Sequence, residues 1–309
     1  MVRLLLLAIL LAAILPATGM MQPIARAISN GAIFLLFLVN GMRIDRVEIL
    51  RGFTRLGFFL PLIIWVFGAM AMIGLVLSQV GASLLPPLAA LGFLYLGTLP
   101  STVQSATSYT MLSGGNVALS VIGAALINVL GVFVTAPLFA LLGGGEVADV
   151  GSETIVRIAL LLVLPLVLGL SIQHLTRGWI TRHKPRLAWL DRIVIAIAVY
   201  VAFSGAVEQG IGSQVPPLAW AWLLLLTLVF LVLGNFGAWL AAGALRLPRA
   251  DRIAFLFAGA QKSVAIGAPL AALLFRPEDA GFVIAPLLLY HLLQLMIAAP
   301  LSTRLANAS

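Results

Sequence analysis

Long apolar runs alternate along this chain with short clusters of charge, glycine and proline. Ten runs can be marked out, at roughly 3–18, 25–43, 56–79, 84–112, 117–142, 154–175, 192–208, 218–245, 253–275 and 281–303. Stretches such as VIGAALINVLGVFVTAPLFALL lack the period-two alternation of a membrane β-barrel, so the runs are predicted to be helices. A membrane crossing needs about 20 apolar residues. No charge occurs from Leu56 through Gly145, so that stretch alone must cross more than once.

Two of the ten runs are interrupted by polar residues. The fourth contains LPSTVQSATSYTMLSGGN, rich in hydroxyl and amide side chains yet uncharged. The ninth contains FAGAQKSVAIGAP, with two glycines, a proline and a lysine. Both place a Gln just before a Ser, as Gln104–Ser105 and as Gln261–Lys262–Ser263. Five runs lie on each side of the acidic stretch GGGEVADVGSE, and a repeat with an odd number of crossings inverts its copy. The expected organisation is therefore two inverted five-helix repeats, 1–145 and 146–309. Interrupted helices at matching positions of inverted halves point to a transporter's binding site. A helix broken inside a membrane leaves N–H and C=O groups unpaired, at several kcal/mol each, unless polar neighbours, water or an ion satisfy them.

Composition agrees with a membrane protein. Of 309 residues 62% are hydrophobic and only 9% charged, against roughly a quarter charged in a soluble domain. The chain has no cysteine, which excludes disulfides and thiolate chemistry. Its net charge of +8 comes from basic residues scattered over short loops, a pattern of membrane orientation rather than of nucleic-acid binding. Arg3, Arg304 and the loops after runs two, six and eight together carry fourteen basic residues, whereas only Arg26, Arg157 and Arg276 fall on the opposite side. The excess of basic residues on inner loops then predicts a multi-pass protein of a bacterial inner membrane with both termini cytoplasmic. MVRLLLLAILLAAILPATG also has the form of a signal peptide, but this charge count favours a first crossing.

Lys262 lies within the ninth run, too deep for its side chain to reach the interface easily. Such a group marks either a water-filled crevice or a counter-charge for an anionic substrate or an ion site. His291, in LLLYHLLQL, is a second ionisable residue inside a run; it suits either a helix–helix hydrogen bond or a substrate contact. Ser120 and Asn128 read equally well as packing residues or as part of a site. Enzyme chemistry finds no support: Lys262 and Ser263 are sequence neighbours, whose side chains diverge on a helix, and neither GxSxG nor HExxH occurs.

The ordered set LPSTVQSATSYTMLSGGNVALS, FAGAQKSVAIGAPLAALLF and PLLLYHLLQL resembles the bile acid:sodium symporter-like family, closest to a branch with Gln-Lys-Ser at its second crossover. The resemblance covers essentially the whole chain. It implies an all-α fold of ten transmembrane helices, with a core domain holding two discontinuous crossing helices and a separate panel domain. It also implies secondary transport of a small organic anion by alternating access, in a lipid setting, at the crossing of spans four and nine. Carried over, Thr102, Lys262 and His291 are candidate substrate contacts. Gln104, Ser105, Ser120 and Gln261 are candidate ion ligands, with Na+ as the candidate coupling ion. Sodium-coupled members have a carboxylate where this chain has Phe257, and a hydroxyl where it has Ala124, which weakens the sodium assignment and allows Lys262 to stand in for a sodium charge. The alternative implied by the same branch is a sodium-independent transporter, or a membrane regulator of calcium homeostasis.

Overall fold

A computed structural model describes residues 2–44, 55–143, 156–208, 210 and 216–307. Among the described residues all regular structure is helical: α1 (Val2–Ile14), α2 (Met21–Arg43), α3 (Leu56–Gly81), α4 (Pro87–Thr98), α5 (Val103–Leu112), α6 (Val117–Leu142), α7 (Val156–Arg182), α8 (Lys184–Glu208), α9 (Pro217–Ala244), α10 (Arg249–Ala260), α11 (Val264–Leu274) and α12 (Pro277–Asn307). Eight segments are long and apolar enough to cross a membrane, counting α10 with α11 as one, and α1 and α4 are shorter apolar helices. The protein is thus a multi-pass helical membrane protein. The acidic stretch GGGEVADVGSE, apart from its first described glycine, lies outside the described residues.

The main departure from expectation lies between runs six and seven. The expected loop at 176–191 is helical except at His183, because α7 continues to Arg182 and α8 starts at Lys184. Pro185 occupies the second position of α8, where a missing N–H breaks no intrahelical bond. Apolar content measures how far a helix runs in lipid and says little about where its backbone stops being helical.

The chain forms two compact units. The first contains α1, α2, α7, α8 and residues 267–284. Here α2 and α7 approach so closely that a Cβ on Gly41 would strike the backbone of Leu166, and one on Gly169 the backbone of Leu38. Small residues at a crossing allow this contact between backbones, which is how helices gain packing energy in lipid. Arg43 reaches Asp191 of α8 at 2.6 Å, and the Tyr200 hydroxyl donates to the carbonyl of Leu15, just past α1, at 2.8 Å.

The second unit contains α3 to α6, α9, α10, residues 264–266 and the part of α12 from 285 onward. Its apolar core includes Phe58, Phe59, Phe255 and Phe257. Phe58 meets Phe59 and Phe255 edge-on at centroid distances of 5.1 and 5.8 Å, an arrangement that suits the ring quadrupoles. Helices α3 and α4 cross at Gly74 and Gly97, where an added Cβ would lie 2.5 Å from Phe93 O or 2.7 Å from Met70 O. Both interruptions, at 99–102 and 261–263, belong to this unit.

Candidate functional site

The two interruptions have the same local form and different causes. Helix α4 follows Pro86, runs for 12 residues and gives way to an extended Leu99 (φ −72°, ψ 149°). Helix α10 follows Pro248, runs for 12 residues and gives way to an extended Gln261 (φ −72°, ψ 146°). In the first break Pro100 supplies no N–H and pushes Leu99 out of the helical region. The second break contains no proline, so tertiary partners must hold it open. Gln294 of α12 does so: its Oε1 accepts the Lys262 N–H at 2.8 Å and its Nε2 donates to the Lys262 carbonyl at 3.1 Å. One side-chain amide thereby pairs with both backbone groups of Lys262, as a neighbouring strand would. The Tyr290 hydroxyl donates to the Ala260 carbonyl at 2.6 Å.

The carbonyls of the first break are also paired in order. Lys262 Nζ donates to Gly97 O at 2.8 Å and to Leu99 O at 2.7 Å. Thr135 Oγ1 donates to Thr98 O at 3.0 Å, and the Ser263 N–H to Pro100 O at 3.0 Å. Asn128 Nδ2 donates to Ser101 O at 2.6 Å. Five consecutive carbonyls therefore meet five donor contacts from α6 and from the second break. Gly131 of α6 leaves room for Pro100, since a Cβ there would lie 2.5 Å from the proline ring.

The structure brings some of the expected site residues together and keeps others apart. Ser105 Oγ donates to Gln261 Oε1 at 2.8 Å, joining the two breaks. Gln104 is exposed, one position along α5. Adjacent helical residues point about 100° apart, so only one of the pair can face Gln261. Ser120 is fully buried and accepts a hydrogen bond from Thr110 at 3.1 Å, within the packing of α5 on α6. The four candidate ion ligands thus do not form one set. Thr102 is the extended residue before α5 (φ −93°, ψ 130°), and its side chain makes no capping bond. Lys262 is fully buried, with its amine turned onto the α4 carbonyls. His291 accepts the Gln294 Nε2–H on Nδ1 at 2.8 Å. That bond assigns the ring proton of a neutral imidazole to Nε2, which finds no partner among the described residues. The Ser101 and Thr107 hydroxyls are buried and unpartnered in the same sense.

Residues missed by sequence reasoning are as instructive as those it found. Gln294, Tyr290 and Thr135 hold the backbone of the breaks, and Asn128 proves to be more than a packing residue. Tyr290 and Gln294 are four apart on α12, and Asn128 and Thr135 seven apart on α6, so each pair shares a helix face. That spacing was the available signal. At the far end of the same unit, Asn116 caps α6 by accepting the Leu119 N–H at 3.2 Å. It also donates to Asp251 Oδ1 at 2.8 Å, and Arg55 approaches Asp251 at 3.5 Å.

Comparison with known proteins agrees with a multi-pass membrane protein. Residues 1–307 match the model of the SBF-like CPA transporter family. The chain is similar to "Uncharacterized protein PA2026" of Pseudomonas aeruginosa, at 35% identity covering 97% of this chain and 90% of the relative. It is equally similar to "Putative symporter YfeH" of Escherichia coli, at 35% identity over 96% of this chain and 89% of the relative. A more distant relative, "Sodium/bile acid cotransporter 7" of Danio rerio, shares 26% identity over 87% of this chain and 81% of its own length. The family model and the names of the Escherichia coli and Danio rerio relatives indicate transporters rather than enzymes. The chain belongs to the SBF-like CPA transporter family, within the wider group of bile acid:sodium symporter-like proteins.

Proposed function

We propose that the protein is a secondary transporter carrying a small organic anion by alternating access, with its binding site where the two broken helices cross. The observation that carries this reading is the direct contact of the two breaks through Ser105 and Gln261, with Lys262 and Ser263 bonded to the α4 end. Two features favour an anion. The N-terminus of α5 has no side-chain cap, and free N–H groups at a helix start attract negative charge. His291 offers an unpartnered, buried Nε2–H donor. Exposed Gln104 and Ser108 on α5 indicate a water-facing surface, because such side chains are costly against lipid. Thr102, His291, Ser105 and Gln261 are assigned to the substrate side, and Lys262 acts by holding the break.

In this reading the chain crosses the membrane ten times as inverted repeats 1–145 and 146–309, in a bacterial inner membrane with cytoplasmic termini. The unit with the breaks is the core and the other the panel. The matched geometry of the breaks supports the repeat, and the meeting of Arg55, Asn116 and Asp251 supports a common cytoplasmic side for their three segments. Purified protein in vesicles, given labelled small carboxylic acids under imposed Na+, H+ or no gradient, tests the proposal. Saturable uptake lost in Gln261→Ala is expected. Folded protein that moves none of a broad panel of acids would instead favour a regulatory role.

A further inference from the structure

A family named for sodium raises the question of whether this chain's residues fit that ion. In broken-helix transporters, unwound carbonyls and half-helix C-terminal ends are where small cations bind. The corresponding oxygens here are Gly97 O and Leu99 O at the end of α4, and both already accept hydrogen bonds from Lys262 Nζ. The carbonyls between and after them are bonded to Thr135, Ser263 and Asn128. On α10, Phe257 is fully buried in the apolar core, its ring 5.8 Å from that of Tyr109. Among the described residues of this unit the single carboxylate is Asp251, held at the opposite end of α10 by Asn116 and Arg55. Ala124 offers only its backbone carbonyl, which Asn128 Nδ2 also engages at 2.7 Å. The residues present do not fit a sodium ion at this break.

We infer that the Lys262 amine is a built-in donor occupying the position a dissociable cation would take at the end of α4, so the crossover is assembled without bound sodium. The inference rests on the broken-helix site proposed above for its functional meaning, but its test does not depend on transport. A side chain cannot leave with the substrate. The amine is therefore a fixed structural donor, whose Nζ satisfies carbonyls that would otherwise need an ion or water.

The experiment is thermal unfolding of purified full-length protein in detergent, titrated with NaCl against choline chloride at constant ionic strength. Wild-type protein should show no sodium-specific shift. Lys262→Ala removes a propylammonium fragment and frees Gly97 O and Leu99 O. This variant should melt several degrees lower and recover part of the loss in Na+ or in n-propylammonium, but not in choline. A saturable sodium-specific stabilisation of the wild type would overturn the inference, as would a Lys262→Ala protein that melts like the wild type and responds to neither ion. Should Lys262→Ala not fold, Lys262→Met, which keeps the stem and removes the amine, takes its place in the rescue, and the wild-type titration stands on its own. Absence of uptake in vesicles, with these melting results intact, would sink the transport proposal and leave the built-in donor standing.

Discussion

Gln294 offers the sharpest test of how the second break is held. Its amide makes three contacts, at 2.8 and 3.1 Å to the Lys262 backbone and 2.8 Å to His291, and the residue is almost wholly buried. Gln294→Met keeps the length and volume but leaves the Lys262 N–H and C=O unpaired. Each unsatisfied buried group costs about 1–3 kcal/mol, so the pair should cost about 4 kcal/mol. A domain of roughly 200 residues loses about 2–4 °C in Tm per kcal/mol, which puts the expected fall near 8 °C or more. Gln294→Glu, as a carboxylate, can still accept from the Lys262 N–H but cannot donate to the carbonyl or to His291. It should therefore lose stability at neutral pH and regain part of it once acid protonates the new side chain. Both variants can be followed by intrinsic fluorescence on heating, at neutral and mildly acid pH. A Gln294→Met protein that melts within a degree or two of the wild type would show that the break is held by something other than this amide.

Gly131→Ala should push its methyl into Pro100, 2.5 Å from the nearest ring carbon; overpacking of this kind costs about 1–3 kcal/mol, readable as a lower melting temperature that Pro100→Ala partly relieves. Asn116→Ala removes both the α6 cap and the bond to Asp251, for a loss of about 1–2 kcal/mol, whereas Asn116→Asp should keep the cap while repelling Asp251, so it also destabilises, and less so in acid. The Arg43–Asp191 pair is only partly buried, and a double-mutant cycle there should return no more than about 1 kcal/mol.

The breaks themselves were legible because physics leaves few reasons for Pro100, a run of hydroxyls, or Lys262 to sit inside an apolar helix. The architecture around them was less so. Gln104 and Ser105 look equivalent in a one-dimensional string, and helical geometry selects only Ser105 for the contact with Gln261. Ser120 matches a family pattern, yet its hydroxyl is taken by Thr110. Gln294 is a single amide among leucines in LLLYHLLQL, and nothing local to α12 reveals that its partner is a peptide unit 32 residues earlier. Long-range pairing of a side chain with a backbone group leaves no periodic trace, which is why Gln294 and Thr135 are not legible in the sequence as partners of the breaks.

The pairing of the first break also bears on how the protein is made. Lys262 is 165 residues downstream of Gly97 and 163 downstream of Leu99, and Ser263 follows it. When α4 first enters the bilayer those donors have not yet been synthesised, while Thr135 and Asn128 follow far sooner. The carbonyls of Gly97, Leu99 and Pro100 must then stay hydrated, or remain shielded by the insertion machinery, until the ninth apolar run arrives. Full-length synthesis, rather than insertion of the first half, is the event that completes the α4–α5 crossover, and a chain truncated before residue 262 should present that segment to quality control as unfinished.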